Sequence, residues 1–518
     1  MIAWFEHLGH LEPSTHDLLA AQRPTLDYWL AHTDALPTFA RTCPITQRYL
    51  QLLGPLAWAE LLPRQAHPNG NAAPLPYGPL AGAYLIKLDQ QLPSMGALRQ
   101  YLVDHPALVW LLGFPLVPSD RTPWGFDVEA SLPTHRHFSR VLRTLDNAAL
   151  QFLLDATVQV IGQTLPPELR PNFGEVVAGD TKHSIAWVRE NNPKLYIANR
   201  YDKTQQPKGD PDCRLGCKKR HNQAAAEDHG STDTTPGAAD APPSTPTTDG
   251  TPASHVEVGE FYWGYASGVI ATKLPDWGEF VLAEYTQTFD KGDATYFFPL
   301  MAATERRLGR RPRYGAFDMA FDAHYVYDFF AAAGGFAAVP LAQRGDTTRS
   351  FDPAGLPLCP AGLAMPLKGS FRCHSTAVEH RRGRYACPLR WPKRPPLADA
   401  SAEPTCPVQD PHFAHGGCVV TMPLSPGARL RYQLDRESAA FKAIYKQRTA
   451  DERINSLALE LGIERPKLRN RQAITNQNTL IYVLLNLRAI QRIQAQQTRR
   501  AHQAANVNAC QEGSPVTS

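Results

Sequence analysis

The hydrophobic pattern of this chain changes period near residue 174, and that change limits the possible folds more than any other feature. Before it, apolar residues recur at helical spacing. Ser94 is placed to cap a helix carrying Leu98, Tyr101 and Leu102, and after Pro106 come Leu108, Val109, Leu111 and Leu112. Pro133-Thr134 opens a second helix with Phe138, Val141, Leu142 and Leu145. Asp146-Asn147 separates it from a third with Leu150, Leu153, Leu154, Thr157, Val158 and Ile161. After it, short β-rich runs take over: Glu175 to Asp180, 261–271 and 279–288. A helix is expected near 294–309, a strand from Tyr314 to Asp318, a helix from Phe321 to Ala333 and a strand from Phe336 to Leu341. The order is β-β-β-α-β-α-β, a three-stranded meander feeding a βαβ unit. That is an α/β chain built on a mixed sheet with flanking helices.

Five regions follow from this reading. Residues 1–168 form a helical N-terminal region. Its basic residues His135, Arg136, His137, Arg140 and Arg143 suit a helix-turn-helix-like DNA-binding module, with a plain helical bundle as the alternative. Residues 169–344 hold the first part of the sheet. Within them, 223–256 is rich in Ala, Asp, Ser, Thr, Pro and Gly and contains no Lys or Arg; too little apolar surface is present to offset ordering, so disorder is expected. Residues 345–438, rich in Pro, Gly, Cys and Arg, are too long for a structureless loop and read as an inserted irregular or β-rich subdomain. Residues 439–494 are helical and basic and complete the core. Residues 495–518 read as a polar, frayed tail.

The formal net charge of the 518 residues is only +4, but it sums opposed segments. Residues 441–503 carry twelve Lys or Arg against four acids, and 366–394 carry eight against one, whereas 223–260 carry seven acids and no Lys or Arg. A basic, phosphate-tracking surface combined with an acidic insert fits this distribution. The opening Met1-Ile2-Ala3-Trp4-Phe5-Glu6-His7 is acidic and aromatic, unlike a secretory signal. No apolar run approaches the ~18–20 residues of a membrane span. A soluble, cytoplasmic protein is expected. Nine irregularly spaced cysteines argue against a disulfide framework. Cys359, Cys373, Cys387, Cys406 and Cys418, with His374, His412 or His415, offer donors for a structural zinc. None forms a C-x2-C pair, so reduced cysteines are the simpler reading. Cys213-x3-Cys217-x3-His221 matches a zinc pattern less well still.

Three acids stand out by position. Asp180 ends the first strand, Asp318 ends the strand after the first helix, and Glu452 lies on the late helix. Strand-end carboxylates joined by a helical Glu can hold two divalent ions, Mg2+ or Mn2+, about 3.5–4 Å apart. Asp322 is the rival to Asp318 and fits better as the cap of the following helix. Tyr445, Arg448 and Glu452 share one helical face. There Arg448 offers a fork for phosphate and Tyr445 a stacking tip. Lys182 and Arg453 are further phosphate contacts. His183 is expected to pack beside the site.

These passages together resemble the DDE transposases of bacterial insertion sequences, whose catalytic core is ribonuclease-H-like. The resemblance rests on Ala178-Gly179-Asp180-Thr181-Lys182-His183, on Phe317-Asp318-Met319-Ala320-Phe321-Asp322, and on the stretch from Tyr445 through Arg448 and Glu452 to Asn455. It continues through Leu461-Gly462, Leu468-Arg469 and Leu480 to Arg488, and through Gly355 to Cys359 and Arg384 to Leu389 of the insert, covering roughly 85–494. Relatives often carry a Lys seven residues past the Glu, where this chain has Leu459. Arg453 or Lys467 would be the substitutes. The resemblance implies that Asp180, Asp318 and Glu452 bind metal. It implies binding of terminal inverted repeats and target DNA, a homodimer or higher synaptic complex, and DNA cleavage followed by strand transfer. A repurposed DNA-binding protein and a plain metal-dependent nuclease of the same fold are the alternatives.

Overall fold

The computed structural model describes residues 24–61, 64, 75–218, 260–342, 349–374, 378–391 and 405–512. The insert expected to be disordered at 223–256 lies outside the described residues, as does His221. The sheet contains β1 (Val176–Ile185), β2 (Arg214–Lys218), β3 (Glu260–Leu274), β4 (Gly278–Thr288), β5 (Tyr314–Phe317) and β6 (Phe336–Ala338). The spatial order is β4, β3, β1, β5, β6, with β2 paired to the start of β3. β3 runs antiparallel to β1 and β4, whereas β1, β5 and β6 are parallel. The tight β3–β4 reversal follows from its residues. Asp276 and Gly278 take positive φ, which Asp tolerates and Gly adopts freely.

Six helices matter for the site: α1 (Asn147–Thr164), α2 (Phe297–Leu308), α3 (His324–Ala331), α4 (Ala439–Tyr445), α5 (Thr449–Glu460) and α6 (Arg471–Glu512). α6 is the axis of the molecule. Its run Leu480-Ile481-Tyr482-Val483-Leu484-Leu485 is buried on every side, between α1 and β4. Of the tail expected to fray at 495–518, residues 495–512 are instead the last part of this helix, about 60 Å long in all, and 513–518 lie outside the described residues. Gln, Ala and Arg there are strong helix formers. Gln497 donates to the Thr164 carbonyl at 2.7 Å, and Arg500 stacks on Trp277 at 4.6 Å. The polarity of this stretch is that of a helix with one wet face.

The N-terminal helices begin where the caps are placed. The Ser94 side chain accepts from the Ala97 amide, Thr134 from His137, and Asp146 from Ala148. His135, Arg136, Arg140 and Arg143 are exposed, while Phe138, Val141 and Leu142 face inward. The helices and the sheet share one core. A continuous buried cluster runs from Leu26 to Ile493 around α6, so this region is packed as part of the same body as the sheet.

The inserted segment forms an antiparallel sheet of β7 (Leu367–Cys373), β8 (His380–Ala386) and β9 (Val419–Pro423) over a small core of Met365, Tyr385, Met422 and Ala428. Cys359 and Cys418 pack against that core. Burial, the Asp410 carboxylate and the Cys359 and Cys387 thiols push the Cys418 thiol up to about 11. Cys43, Cys213, Cys217, Cys359, Cys387, Cys406 and Cys418 are free thiols.

Asp322 corrects an expectation. The cap position of α3 is Ala323, without a side-chain bond. The Asp322 carboxylate, wholly buried, accepts from Arg431 Nε at 2.7 Å, from Tyr327 Oη at 2.8 Å and from the Ala342 amide at 2.7 Å. Arg431 follows β9, so this clamp fastens the inserted subdomain to the sheet. Among the described residues, no helix is long and apolar enough to cross a membrane.

Candidate functional site

Asp180 is in the middle of β1, since the strand continues to Ile185 rather than ending on the acid. Its position is special for another reason. β1 pairs with β5 only as far as Gly179 opposite Phe317, whereas on its other edge Asp180 pairs with Val269 of β3. Asp180 is therefore the first residue past the end of the parallel ladder, and Asp318 is its counterpart on β5, one strand spacing (~4.8 Å) across. Carboxyl ends of parallel strands are where α/β sheets leave room for ligands. Gly179 makes the approach possible: a Cβ there would stand 2.3 Å from the Phe317 ring. Asp318 begins a 3-10 turn and accepts from the Ala320 amide at 2.9 Å.

Two groups were not expected here. Asp293, just before α2, accepts from the Thr181 hydroxyl at 2.8 Å and adds its charge to both Asp180 and Asp318. α5 lies over β1 and β3 with Ala450, Asp451, Ile454, Asn455 and Ala458 inward. Asn455 donates from Nδ2 to Asp180 Oδ2 at 3.0 Å, and the Thr181 amide donates to Asp180 Oδ1 at 2.8 Å. Asp451, one turn before Asn455, is 0% exposed and has no hydrogen-bond partner at either carboxylate oxygen. The Ala271 backbone amide, beside the bulge of β3, approaches this carboxylate as a donor and lowers its pKa, although its geometry falls short of a regular hydrogen bond. A sequence signal for Asp451 did exist: with Ile454, Asn455 and Ala458 it forms an i, i+3, i+4, i+7 stripe, so a charge sits on the apolar face of the helix.

The other expected residues are dispersed. The stretch from 439 to 460 is not one regular helix, because a 3-10 turn at Lys446–Arg448 separates α4 from α5. Across that turn, Arg448 still pairs with Glu452 at 2.5 Å and lies over the Tyr445 ring at 5.9 Å. The Glu452 side chain is 52% exposed. Arg453 is bonded to Glu279 at 3.0 Å, at the β3–β4 hairpin. Lys182 stands 3.6 Å from Glu464. His183 packs on the rings of Phe289 and Tyr262. Asp180 and Asp318 are thus brought together, Arg448 acts on both, and Glu452 is held on Arg448.

The electrostatics are those of crowded acids. Burial, helped by Asp318 and Asp293, pushes Asp180 up to about 6 against hydrogen bonding and Arg448. Burial and then the Asp293 charge raise Asp318. Burial raises Asp293 as well. Asp451 is raised well above its ordinary range, by burial first and by Asp180 next. Arg448 offsets Asp180, Asp318 and Asp451 in part. Among the described residues, no three His, Cys, Asp or Glu side chains are already drawn into a metal-holding group. The donor chemistry nevertheless fits Mg2+ or Mn2+. The groups are hard oxygens, the acids are more numerous than the charges that offset them, and buried oxygens without donors point to a cation rather than an anion. No protein-family model matches the chain, and no curated protein matches it.

Proposed function

We propose that this protein is a DNA transposase of the DDE type, a metal-dependent polynucleotidyl transferase on a ribonuclease-H-like core. The observation that carries the reading is the placement of Asp180 beside Asp318 where the β1–β5 ladder ends. The sheet order supports it, since an antiparallel meander β4-β3-β1 extended by parallel β5 and β6 is the arrangement expected of that core. So do the exposed basic residues of the helix His135–Thr144 and the guanidinium of Arg448, which faces the same acids.

In this reading Asp180 and Asp318 hold the divalent ion, with a third carboxylate from the first turn of α5, where the resemblance points to Glu452. An ion held there would supply Lewis-acid chemistry, activating the attacking oxygen and stabilising the leaving one. The chain's own residues bind and orient. Arg448 forks onto a phosphate, and Tyr445, whose ring it lies over, supports it. Asn455 keeps Asp180 turned into the site. Water first breaks a P–O3′ bond at the element end, leaving a free 3′-hydroxyl. That hydroxyl then forms a new P–O bond in target DNA while a target 3′-oxygen leaves. No protein–DNA covalent bond is required, because positioning and charge neutralisation carry phosphoryl transfer. Two copies of the chain would join two element ends in a synaptic complex.

The test is incubation with Mg2+ and DNA carrying the ends of the element that encodes the protein, comparing wild type with Asp318→Ala. Cleavage and joining by the wild type alone are expected. Cleavage that survives the substitution removes Asp318 from the site. DNA binding without cleavage by the wild type favours the binding-only alternative.

A further inference from the structure

The buried face of α5 carries three oxygens without a hydrogen bond of regular geometry: both carboxylate oxygens of Asp451, approached only by the Ala271 amide, and Oδ1 of Asn455. Asp451 is 0% exposed and Asn455 is 8% exposed, so water does not replace the missing donors cheaply. The two residues are four apart and therefore stand one above the other on the helix. The Asn455 amide is oriented by its Nδ2 bond to Asp180, which fixes Oδ1 as the free end. Asp180 is also the first neighbouring charge to act on Asp451. A structural network would be expected to supply donors here, and a hydrophobic core would be expected to replace the acid by an apolar residue. Neither has happened. What can satisfy three buried oxygens so short of donors, beside a further carboxylate, is a hard divalent cation.

We infer that Asp451 and Asn455 belong to the cation site of Asp180, and that Asp451 supplies the carboxylate from α5 while Glu452 remains with Arg448. The inference rests on the proposed metal-dependent reading and sharpens it, since adjacent residues on a helix point about 100° apart and only one of them faces the sheet.

The test uses the full-length protein without DNA and reads Mn2+ binding by titration calorimetry and by the loss of the free-ion resonance signal. Wild type is compared with Asp451→Asn, Glu452→Gln and Asp180→Asn. Asp451→Asn is expected to weaken Mn2+ binding tenfold or more and to remove the Mn2+-induced rise in melting temperature. Glu452→Gln is expected to change affinity less than threefold. Wild-type affinity in Asp451→Asn, with Asp180→Asn defective, overturns the inference and leaves the proposed function standing. Absence of Mn2+ binding by the wild type overturns both. Should Asp451→Asn not fold, Asn455→Leu serves instead: it keeps every carboxylate and is expected to lose affinity several-fold, and unchanged affinity overturns the inference.

Discussion

Two buried acids, Glu284 and Asp451, sit on neighbouring parts of the same core and are treated in opposite ways. Glu284, on β4, receives four donors. Thr286 and Ser267 reach Oε1 at 2.6 and 3.3 Å, and Thr479 and Gln151 reach Oε2 at 2.8 and 2.9 Å. Those donors come from β3, β4, α1 and α6, so the carboxylate joins the N-terminal helices, the axial helix and the sheet. Arg307, bonded to Asp155 and to Gln151, supplies a nearby positive charge. Asp451, at a similar depth, is approached only by the Ala271 amide, and neither of its oxygens has a hydrogen bond of regular geometry. A satisfied buried carboxylate rigidifies a core, whereas an unsatisfied one is costly and persists where something outside the apo chain repays it. The contrast separates a structural acid from a functional one without reference to any relative.

The comparison can be broken by substitution. The largest effect is expected at the open site: Asp180→Asn should reduce DNA cleavage and joining to background while the protein still unfolds cooperatively, measured by product analysis on gels and by calorimetry. Residual activity near the wild-type level would place the chemistry elsewhere. Next in size is the dependence of DNA affinity on salt. It should fall by about a hundredfold or more between about 50 and 200 mM, through the basic residues of 441–503 and of the helix His135–Thr144. A flat response in a binding titration would remove the DNA reading.

Glu284→Ala should then cost about 3 kcal/mol or more in urea unfolding, because it strands the hydroxyl and amide donors that now meet the carboxylate. Asp451→Leu should leave metal-free stability unchanged or raise it by about 1 kcal/mol, since it removes a buried acid whose one approaching donor, the Ala271 amide, is not held in a regular hydrogen bond. Equal losses for the two would erase the contrast.

The smallest expected effect is on pH dependence. The folded protein holds the Asp180 proton more tightly than the unfolded chain does, with a pKa of about 6 against an ordinary 3.8. The stability this contributes is fully present below the ordinary value and is lost as pH rises through about 6. Without metal, melting temperatures should decline across that window. Mg2+ or Mn2+ should therefore stabilise more at pH 7.5 than at pH 5, and a cation effect independent of pH would sink this assignment of the acids.

Much of the fold was legible because the chain's periodicities are local. The runs at β3 and β4 are long and rich in β-formers, and the caps Ser94, Thr134 and Asp146 mark helix starts by their own hydrogen bonds. β2, Arg214-Leu215-Gly216-Cys217-Lys218, was missed because five residues of mixed polarity carry no period; its existence depends on pairing with β3. The last turns of α6 were misread because a wet helix and a frayed tail have the same composition. Asp322 was misread because its partner, Arg431, is more than a hundred residues away.

The sequence by itself determined the order of the main strands and helices, β2 apart, and singled out Asp180 and Asp318 beside strand positions. Those depend on alternation along the chain and on where each run stops. The end of the parallel β1–β5 ladder between the two acids came from the pairing. Only the tertiary structure decided which acid of α5 turns inward. Tyr445, Arg448 and Glu452 share one side of the chain across the 3-10 turn, and Asp451, Asn455 and Ala458 share another. Both patterns are present in the residues. The packing of Ala450, Ile454 and Ala458 on β1 and β3 sets the rotation of the helix, and with it buries Asp451 within reach of the Asp180 charge and turns Glu452 toward solvent.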